Sequence, residues 1–381
     1  MSADSDERGH SRHPRVRLSS VLLAGGGSAG HVSPLLALAD CLRRRDPDTR
    51  VTALGTEKGL EQRLVPARGY DLRAIPKVAF PRRPGGALVR LPGALKAAVG
   101  AAGAVIDEIS PDVVVGFGGY VSTPAYLAAR RRGIPIVVHE QNARPGLANR
   151  LGARMTPYVA TTFASTSLPH ARVVGMPLRR EIATLDRVAS RAQALTHFGL
   201  DDHHPTLLIT GGSLGAQRLN AAFASRVDSL RTHGIQVLHI TGLGKEFAHE
   251  SRVDGPPYVV AGYVDRMDLA YSAADLVVAR AGANTVCELT AVGLPAVYVP
   301  LPIGNGEQRL NATDVIAAGG GTLVDDSDLT PRWVDQILVP LMTDGRRTAE
   351  MATAAASIGE RAADERLADL VEVAADSRGA R

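Results

Sequence analysis

The chain has 381 residues, a formal net charge of +4 and an apolar content of 45%, enough for two domains that each bury a core. A small charge excess carried mainly by dispersed Arg, with only 4% aromatic residues, excludes a nucleic-acid surface built on basic patches and stacking platforms. Its two cysteines, Cys41 and Cys287, fall far apart in predicted helices, which excludes a disulfide framework and a cysteine-based metal site and fits a reducing compartment.

Residues 1–17 are charged and lack the apolar stretch of a signal peptide, so a disordered tail is predicted. The run 21–24 reads as a buried parallel strand. It is followed by Gly25-Gly26-Gly27-Ser28-Ala29-Gly30-His31, then by Leu35, Leu38, Ala39 and Leu42 at helical spacing, with Pro34 placed for a first turn. Glycines let backbone amides approach a phosphate and the next helix N-terminus adds unpaired N–H groups, although close helix-to-strand packing also asks for small residues. The loop lacks the GxGxxG spacing of a dinucleotide site and the GK[ST] ending of a P-loop, which demotes NAD and ATP. His31 projects where the carboxyl end of a sheet forms a cleft. Further strands are predicted at 51–54, 113–115, 136–138 and 173–174, with helices at 95–109 and 123–132, an alternation that specifies a parallel sheet covered on both faces. The stretch 78–91 mixes apolar residues with Arg and has no clean period. Such a loop could sit at an anionic membrane surface, with Phe80 and Leu88 in the interface and Arg82 and Arg83 on lipid phosphates, or be a solvated surface loop. The longest weakly apolar run, 97–106, is too short to span a bilayer, so membrane contact is expected to be peripheral. Gly116-Phe117-Gly118-Gly119-Tyr120 ends one strand with permissive backbone. His139-Glu140-Gln141-Asn142 ends another with four polar residues, a run costly enough to bury that it is predicted to line a site.

Gly175-Met176-Pro177-Leu178-Arg179 interrupts the pattern and marks a boundary. Strands predicted at 207–209, 237–240, 258–260, 276–278 and 296–299 repeat the scheme, giving an α/β chain of two Rossmann-like, doubly wound domains facing a cleft. A second glycine turn, Gly211-Gly212-Ser213-Leu214-Gly215, offers a hydroxyl beside backbone amides, suited to a pyrophosphate and equally to an N-cap. After the strand at 276–278, Glu288 lies early in a helix where a carboxylate can accept two hydrogen bonds from a ribose diol. Gln308 and Asn311 share a helix face, and their amides both donate and accept as sugar hydroxyls require. Asp46/Asp48 and Asp326/Asp328 form D-x-D pairs in turn settings and read as solvated caps. With no HExxH motif and no Cys/His cluster, neither a metal nor another cofactor is expected. Residues 343–375 predict one or two terminal helices.

Taken in order, GGGSAGH, GFGGYVS, HEQNARPGLANR, VVGMPLR, GGSLGAQRLN, ADLVVARAGANTVCEL, AVGLPAVYVPLP and GNGEQRLNA resemble the motifs of the MurG family of peptidoglycan glycosyltransferases, in its actinobacterial style, over about residues 18–360. The resemblance implies the glycosyltransferase-B fold, with an acceptor and membrane-facing domain over 18–178, a UDP-sugar domain over 179–352 and a terminal helix within 353–381 that returns to the first domain. It implies inverting transfer of N-acetylglucosamine from UDP-N-acetylglucosamine to the 4-hydroxyl of undecaprenyl-diphospho-muramoylpentapeptide, by a peripheral protein on the cytoplasmic side of the cell membrane. A base on the acceptor hydroxyl and partners among division and wall-synthesis proteins are implied as well. Matched motif by motif, Ser28, Ala29 and Gly30 would lie near the reacting sugar and phosphates, and Asn142 and Gln308 on the N-acetylglucosamine. Arg179, Ser213 and Val264 would meet the nucleotide, which Ala283, Asn284, Thr285, Val286, Cys287 and Glu288 would wrap, Glu288 on the ribose. His31 and Glu140 are both base candidates, unranked by sequence. The chain departs from the pattern at Leu214, where many relatives carry Gln, and at Ser28, where Thr is commoner. Two other readings stay open. One is a UDP-N-acetylglucosamine 2-epimerase on the same fold, needing no lipid acceptor site, and the other a nucleotide-sugar-binding scaffold without catalysis, for which Leu214 would be a first sign.

Overall fold

A computed structural model describes residues 17–78, 86–212, 217–249, 253–303 and 305–379. The predicted tail to residue 16, the core of the stretch expected at a membrane surface, from Ala79 to Pro84, and Ser213, Leu214 and Gly215 lie outside the described residues.

Two wholly parallel sheets organise the chain. The first has seven strands in the order β3-β2-β1-β4-β5-β6-β7: β1 Ser20–Ala24, β2 Arg50–Thr56, β3 Asp71–Ile75, β4 Val113–Gly116, β5 Ile136–Glu140, β6 Tyr158–Thr161 and β7 Ala171–Val173. The second has six in the order β10-β9-β8-β11-β12-β13: β8 Thr206–Thr210, β9 Gln236–Ile240, β10 Tyr258–Ala261, β11 Leu276–Ala279, β12 Ala296–Tyr298 and β13 Gly321–Leu323. Central strands such as β1 and β11 are buried along their whole length, because helices cover both faces and leave no position for an alternating polar residue. Strands β3, β6 and β13 carry no sequence signal strong enough to predict. β3 and β13 are edge strands, and β3 buries only Ile75.

In each sheet the strand order reverses at one point, between β1 and β4 and between β8 and β11. A crevice opens there at the carboxyl ends of the strands, because the connections leave in opposite directions. The glycine loop at 25–30 leaves β1, the Phe117–Tyr120 turn leaves β4, Gly211 and Gly212 leave β8, and Arg280 leaves β11. Both glycine motifs therefore open onto switch points. The helix after the first loop, Ala29–Arg45, starts earlier than Pro34 suggests, so Pro34 lies beyond its first turn. Having no N–H, Pro34 offers no hydrogen bond to the Gly30 carbonyl.

The last two helices diverge. Gly345–Ser357 packs on the helix Ala283–Ala291 beside the second sheet, whereas Ala363–Gly379 lies on Ala29–Arg45 and puts Leu367, Leu370, Val371 and Ala374 into the core of the first. The chain crosses between the sheets twice at one place. An added Cβ on Gly175 (φ +90°) would stand 2.7 Å from Glu360 Cγ, so the close approach of the two crossings requires glycine there.

Candidate active site

The glycine loop after β1 is shaped by a residue that no motif points to. Glu61 is fully buried. One carboxylate oxygen accepts from the Gly27 N–H (2.9 Å), the other from the Thr56 N–H (2.9 Å) and hydroxyl (2.8 Å). Burial pushes its carboxyl up, but these donors outweigh it and hold the group below the usual carboxylate range. The second wall of the crevice presses onto this loop. Gly119 adopts φ +79°, and a Cβ on it would lie 2.7 Å from the Gly26 carbonyl oxygen.

His31 sits in the first turn of Ala29–Arg45, its Nδ1 3.0 Å from the exposed Ser28 hydroxyl. Its Nε2 faces Gly118, where an added Cβ would meet both His31 Nε2 (3.2 Å) and Asn149 Nδ2 (3.3 Å). Burial lowers the imidazole pKa from 6.5, against the Gly26 carbonyl and the Glu61 charge, so the ring is neutral at pH 7. Tyr120, 39% exposed, closes over Gly27, and Lys77 places its ammonium 4.5 Å from the Tyr120 ring centroid.

The other base candidate is differently placed. Glu140 ends β5 and is buried, its carboxylate taken up by the N–H groups of Asn142 (2.9 Å) and Gly146 (2.9 Å) and by Asn149 Nδ2 (3.0 Å). Burial raises its pKa in spite of these donors. The expectation that 139–142 lines a site as one polar run is corrected. His139 and Gln141 are buried among protein partners, His139 Nε2 2.9 Å from the Gly175 carbonyl and Gln141 Nε2 2.9 Å from His139 Nδ1. Internal hydrogen bonds meet the cost of burying His139 and the Gln141 amide N–H groups, while Gln141 Oε1 is buried without a partner in the described structure. Asn142 turns the other way: its side-chain oxygen accepts from Asn311 Nδ2 (3.3 Å), while Asn311 Oδ1 accepts from the Ala143 N–H (2.9 Å). These bonds join the two sheets' loops across the cleft.

Opposite the first glycine loop stands the helix Ala283–Ala291, whose Asn284 donates to the Ala29 carbonyl (3.3 Å). Asn284 Oδ1 is buried without a partner in the described structure. One helical turn on, Glu288 accepts from the Tyr271 hydroxyl (2.7 Å) and stands 3.7 Å from Arg179. Tyr271 is thus a site neighbour the sequence did not reveal. The six residues expected to wrap a nucleotide do not share one face. Ala283 and Val286 put their side chains into the core, because at 3.6 residues per turn only one stripe can meet the cleft, and Asn284 and Glu288 occupy it. Cys287 is half-buried, and burial pushes its thiol up. Val264 is half-buried against the same core. Gln308 lies near the start of the helix Glu307–Asn311 and accepts from the Leu301 N–H (2.9 Å).

Asp326 corrects the reading of solvated acidic pairs. Its side chain is 12% exposed, ion-paired to Arg280 at 2.5 Å and to Arg218 at 3.1 Å. Asp46 and Asp48 are ion-paired to Arg17 near the surface, as turn residues can be.

Models of the glycosyltransferase family 28 N-terminal domain and C-terminal domain match residues 21–161 and 206–368. A Streptomyces coelicolor protein named UDP-N-acetylglucosamine--N-acetylmuramyl-(pentapeptide) pyrophosphoryl-undecaprenol N-acetylglucosamine transferase is 55% identical over 95% of this chain and 100% of its own. A Nocardioides protein of the same name is 58% identical over 92% of this chain and 97% of its own. The chain belongs to the MurG family. A crystal structure of Acinetobacter baumannii MurG, 31% identical, superimposes with a TM-score of 0.77 over 93% of this chain and 99% of that one. The two parallel-sheet domains are the glycosyltransferase-B fold of MurG, and the calicheamicin glycosyltransferase CalG4, at 20% identity and TM-score 0.65, shares that fold. As a MurG-family chain the protein is an N-acetylglucosaminyltransferase.

Proposed function

We infer that this chain transfers N-acetylglucosamine from UDP-N-acetylglucosamine to the 4-hydroxyl of undecaprenyl-diphospho-muramoylpentapeptide, completing the lipid-linked disaccharide precursor of peptidoglycan. The observation that carries this is the 55% identity to a transferase of that name across 95% of the chain. The relatives' transferase names leave the epimerase and scaffold readings without support.

In this reading the donor lies along the second sheet, with the ribose on Glu288, held by Tyr271 and Arg179, and the sugar near Asn142, Asn311 and Gln308. The acceptor diphosphate enters beside Gly27, Tyr120 and Lys77. His31 takes the proton of the acceptor hydroxyl, whose oxygen forms the new bond to the anomeric carbon from the face opposite UDP. The bond to UDP breaks with its electron pair going to the phosphate oxygen, so configuration inverts. A neutral ring suits a base, because one of its nitrogens keeps a lone pair to accept a proton. Glu140, its carboxylate already met by three donors, orients Asn142 and Asn149 instead. Phosphate charge on the departing UDP is met by backbone N–H groups and by Ser213.

Among the described residues no helix is long and apolar enough to cross a membrane. We place the protein peripherally on the anionic cytoplasmic leaflet through the stretch around Phe80, Arg82, Arg83 and Leu88. The deciding experiment follows radiolabel from UDP-N-acetylglucosamine into lipid-linked muramoylpentapeptide. Label in the lipid supports the transfer; an epimerised sugar, or bound donor without turnover, overturns it.

A further inference from the structure

One carboxylate after β13 pairs with an arginine that follows β11 and with another in the helix that follows β8. Asp326 lies three residues after β13, and each of its oxygens meets a different arginine: Oδ1 faces Arg280 Nη1 at 2.5 Å, and Oδ2 faces Arg218 Nε at 3.1 Å. Arg280 directly follows β11 and precedes the Gly282 turn of the helix that carries Asn284 and Glu288. Arg218 belongs to the helix Gln217–Ala224 that follows β8. Arg280 also donates to the carbonyls of Val299 (3.2 Å) and Pro300 (3.4 Å), which leave β12. The next residue, Leu301, gives its N–H to Gln308 Oε1 (2.9 Å). A continuous path therefore runs from Asp326 through Arg280 and the 299–301 backbone to the side chain of Gln308.

The pair is built to hold position. Asp326 and Arg280 are each 12% exposed, so solvent screens the ion pair weakly; the guanidinium's hydrogen bonds go to the 299–300 carbonyls, while Asp326 Oδ1 and Arg280 Nε have no hydrogen-bond partner in the described structure and the carboxylate holds Arg280 by charge. Asp326 and Arg218 line a cavity of about 440 Å³ together with Pro300, Leu301, Gly306 and Arg309, so the backbone that Arg280 holds and the carboxylate that holds Arg280 border one space.

We propose that Asp326 is a positioning residue for the transferred sugar: by fixing Arg280 it sets the 299–301 backbone and hence Gln308 against the hexosamine of the donor. This rests on the donor assignment made above, with Gln308 on the sugar. A displacement of a fraction of an ångström at Gln308 weakens contacts to the sugar and leaves the nucleotide contacts on Glu288 and Tyr271 in place.

The test is Asp326→Asn, which keeps shape and removes the charge that holds two arginines. Steady-state kinetics should give a KM for UDP-N-acetylglucosamine raised about 10-fold, with the KM for the lipid acceptor unchanged. Calorimetry should show UDP alone binding within about twofold of the parent protein. Loss of UDP affinity equal to the loss for the UDP-sugar would make Asp326 a general support of the domain and overturn the proposal, as would an unchanged donor KM. If Asp326→Asn does not fold, Arg280→Lys serves, because its single ammonium cannot reach Asp326 and both carbonyls together; the same split between UDP and UDP-sugar is expected, and its absence counts against the proposal. Parent protein that binds no UDP-N-acetylglucosamine would instead defeat the donor assignment itself, and the two failures are told apart by that control.

Discussion

The His31 imidazole lies against Gly118 beside Asn149, whose amide in turn donates to the Glu140 carboxylate, and the environments of the two groups push their chemistry apart. Burial lowers the His31 pKa from 6.5, so a rate that depends on neutral His31 should rise with pH through a group below that value and be flat at pH 8. His31→Ala should reduce kcat by about 10²-fold with UDP affinity nearly unchanged and the acidic limb lost. Glu140→Gln, which sets an amide N–H against one of three donors, should lower kcat while keeping that limb. A His31→Ala enzyme that keeps the limb, beside a Glu140→Gln enzyme that loses it, would transfer the base role to Glu140. A second titration concerns stability. Burial depresses His139 from 6.5 to about 4 and His239 to about 3, so the unfolded chain takes up these protons first as pH falls. The contribution of each is whole above about pH 6.5 and drains away as pH drops toward the folded value, amounting to roughly 3 kcal/mol for His139. Urea midpoints should therefore fall steadily between pH 6.5 and 4, with a shallower slope in His139→Gln. Parallel slopes would mean that His139 is not the group responsible.

At the scale of elements, the first glycine loop owes its shape to the strand and helix beside it. Glu61 opens the helix Glu61–Ala67 and reaches back to Thr56 at the end of β2 and to Gly27 in the loop. Glu61→Ala would leave the Gly27 and Thr56 donors without this partner, at a cost of about 2 kcal/mol, and free the loop. Urea denaturation should register the loss, and kcat/KM should fall more than 10-fold at saturating donor. Normal turnover in a destabilised protein would show that the loop holds its form without Glu61. Gly119→Ala tests the facing wall, because its Cβ cannot be accommodated 2.7 Å from the Gly26 carbonyl without displacing one loop.

The whole molecule is closed by its last helix. Arg45, 7% exposed at the end of Ala29–Arg45, pairs with Glu365 (2.6 Å), Asp369 (2.8 Å) and Glu372 (2.8 Å), and Arg44 pairs with Asp364 (2.7 Å). Cys41, Asp364 and Glu365 bring three potential metal-ligand atoms within 4.8 Å, but both carboxylates are already paired with arginines and burial pushes the thiol up. This arrangement fits an ion-paired strap better than a metal centre. Burial of Leu367, Leu370 and Val371 against the first sheet is worth about 1.5–3 kcal/mol each, a large share of a margin of roughly 5–15 kcal/mol. A chain ending at Ala362 should therefore expose its N-terminal half to limited proteolysis, and Arg45→Ala should lower stability by about 2 kcal/mol. Protease resistance equal to that of the full chain would show that the helix is dispensable to the first sheet.

The sequence by itself determined the two-domain plan. Buried parallel strands are continuous apolar runs, so 21–24, 207–209 and 276–278 announce themselves, and the glycine turns that follow them mark the sheet ends where ligands bind. The ordered motifs also pointed to the family. Tertiary structure alone decided how the site is supported. Glu61, Tyr271 and Asp326 act on residues 34, 17 and 46 positions away, so no local pattern distinguishes them from a helix-start carboxylate, a core tyrosine and a turn aspartate. His139 and Gln141 read as site residues because a polar run looks expensive to bury, and only the fold supplies the partners that offset that cost. For the same reason sequence left His31 and Glu140 level: what separates them is how many donors already meet each group, a property of packing that spacing along the chain does not carry.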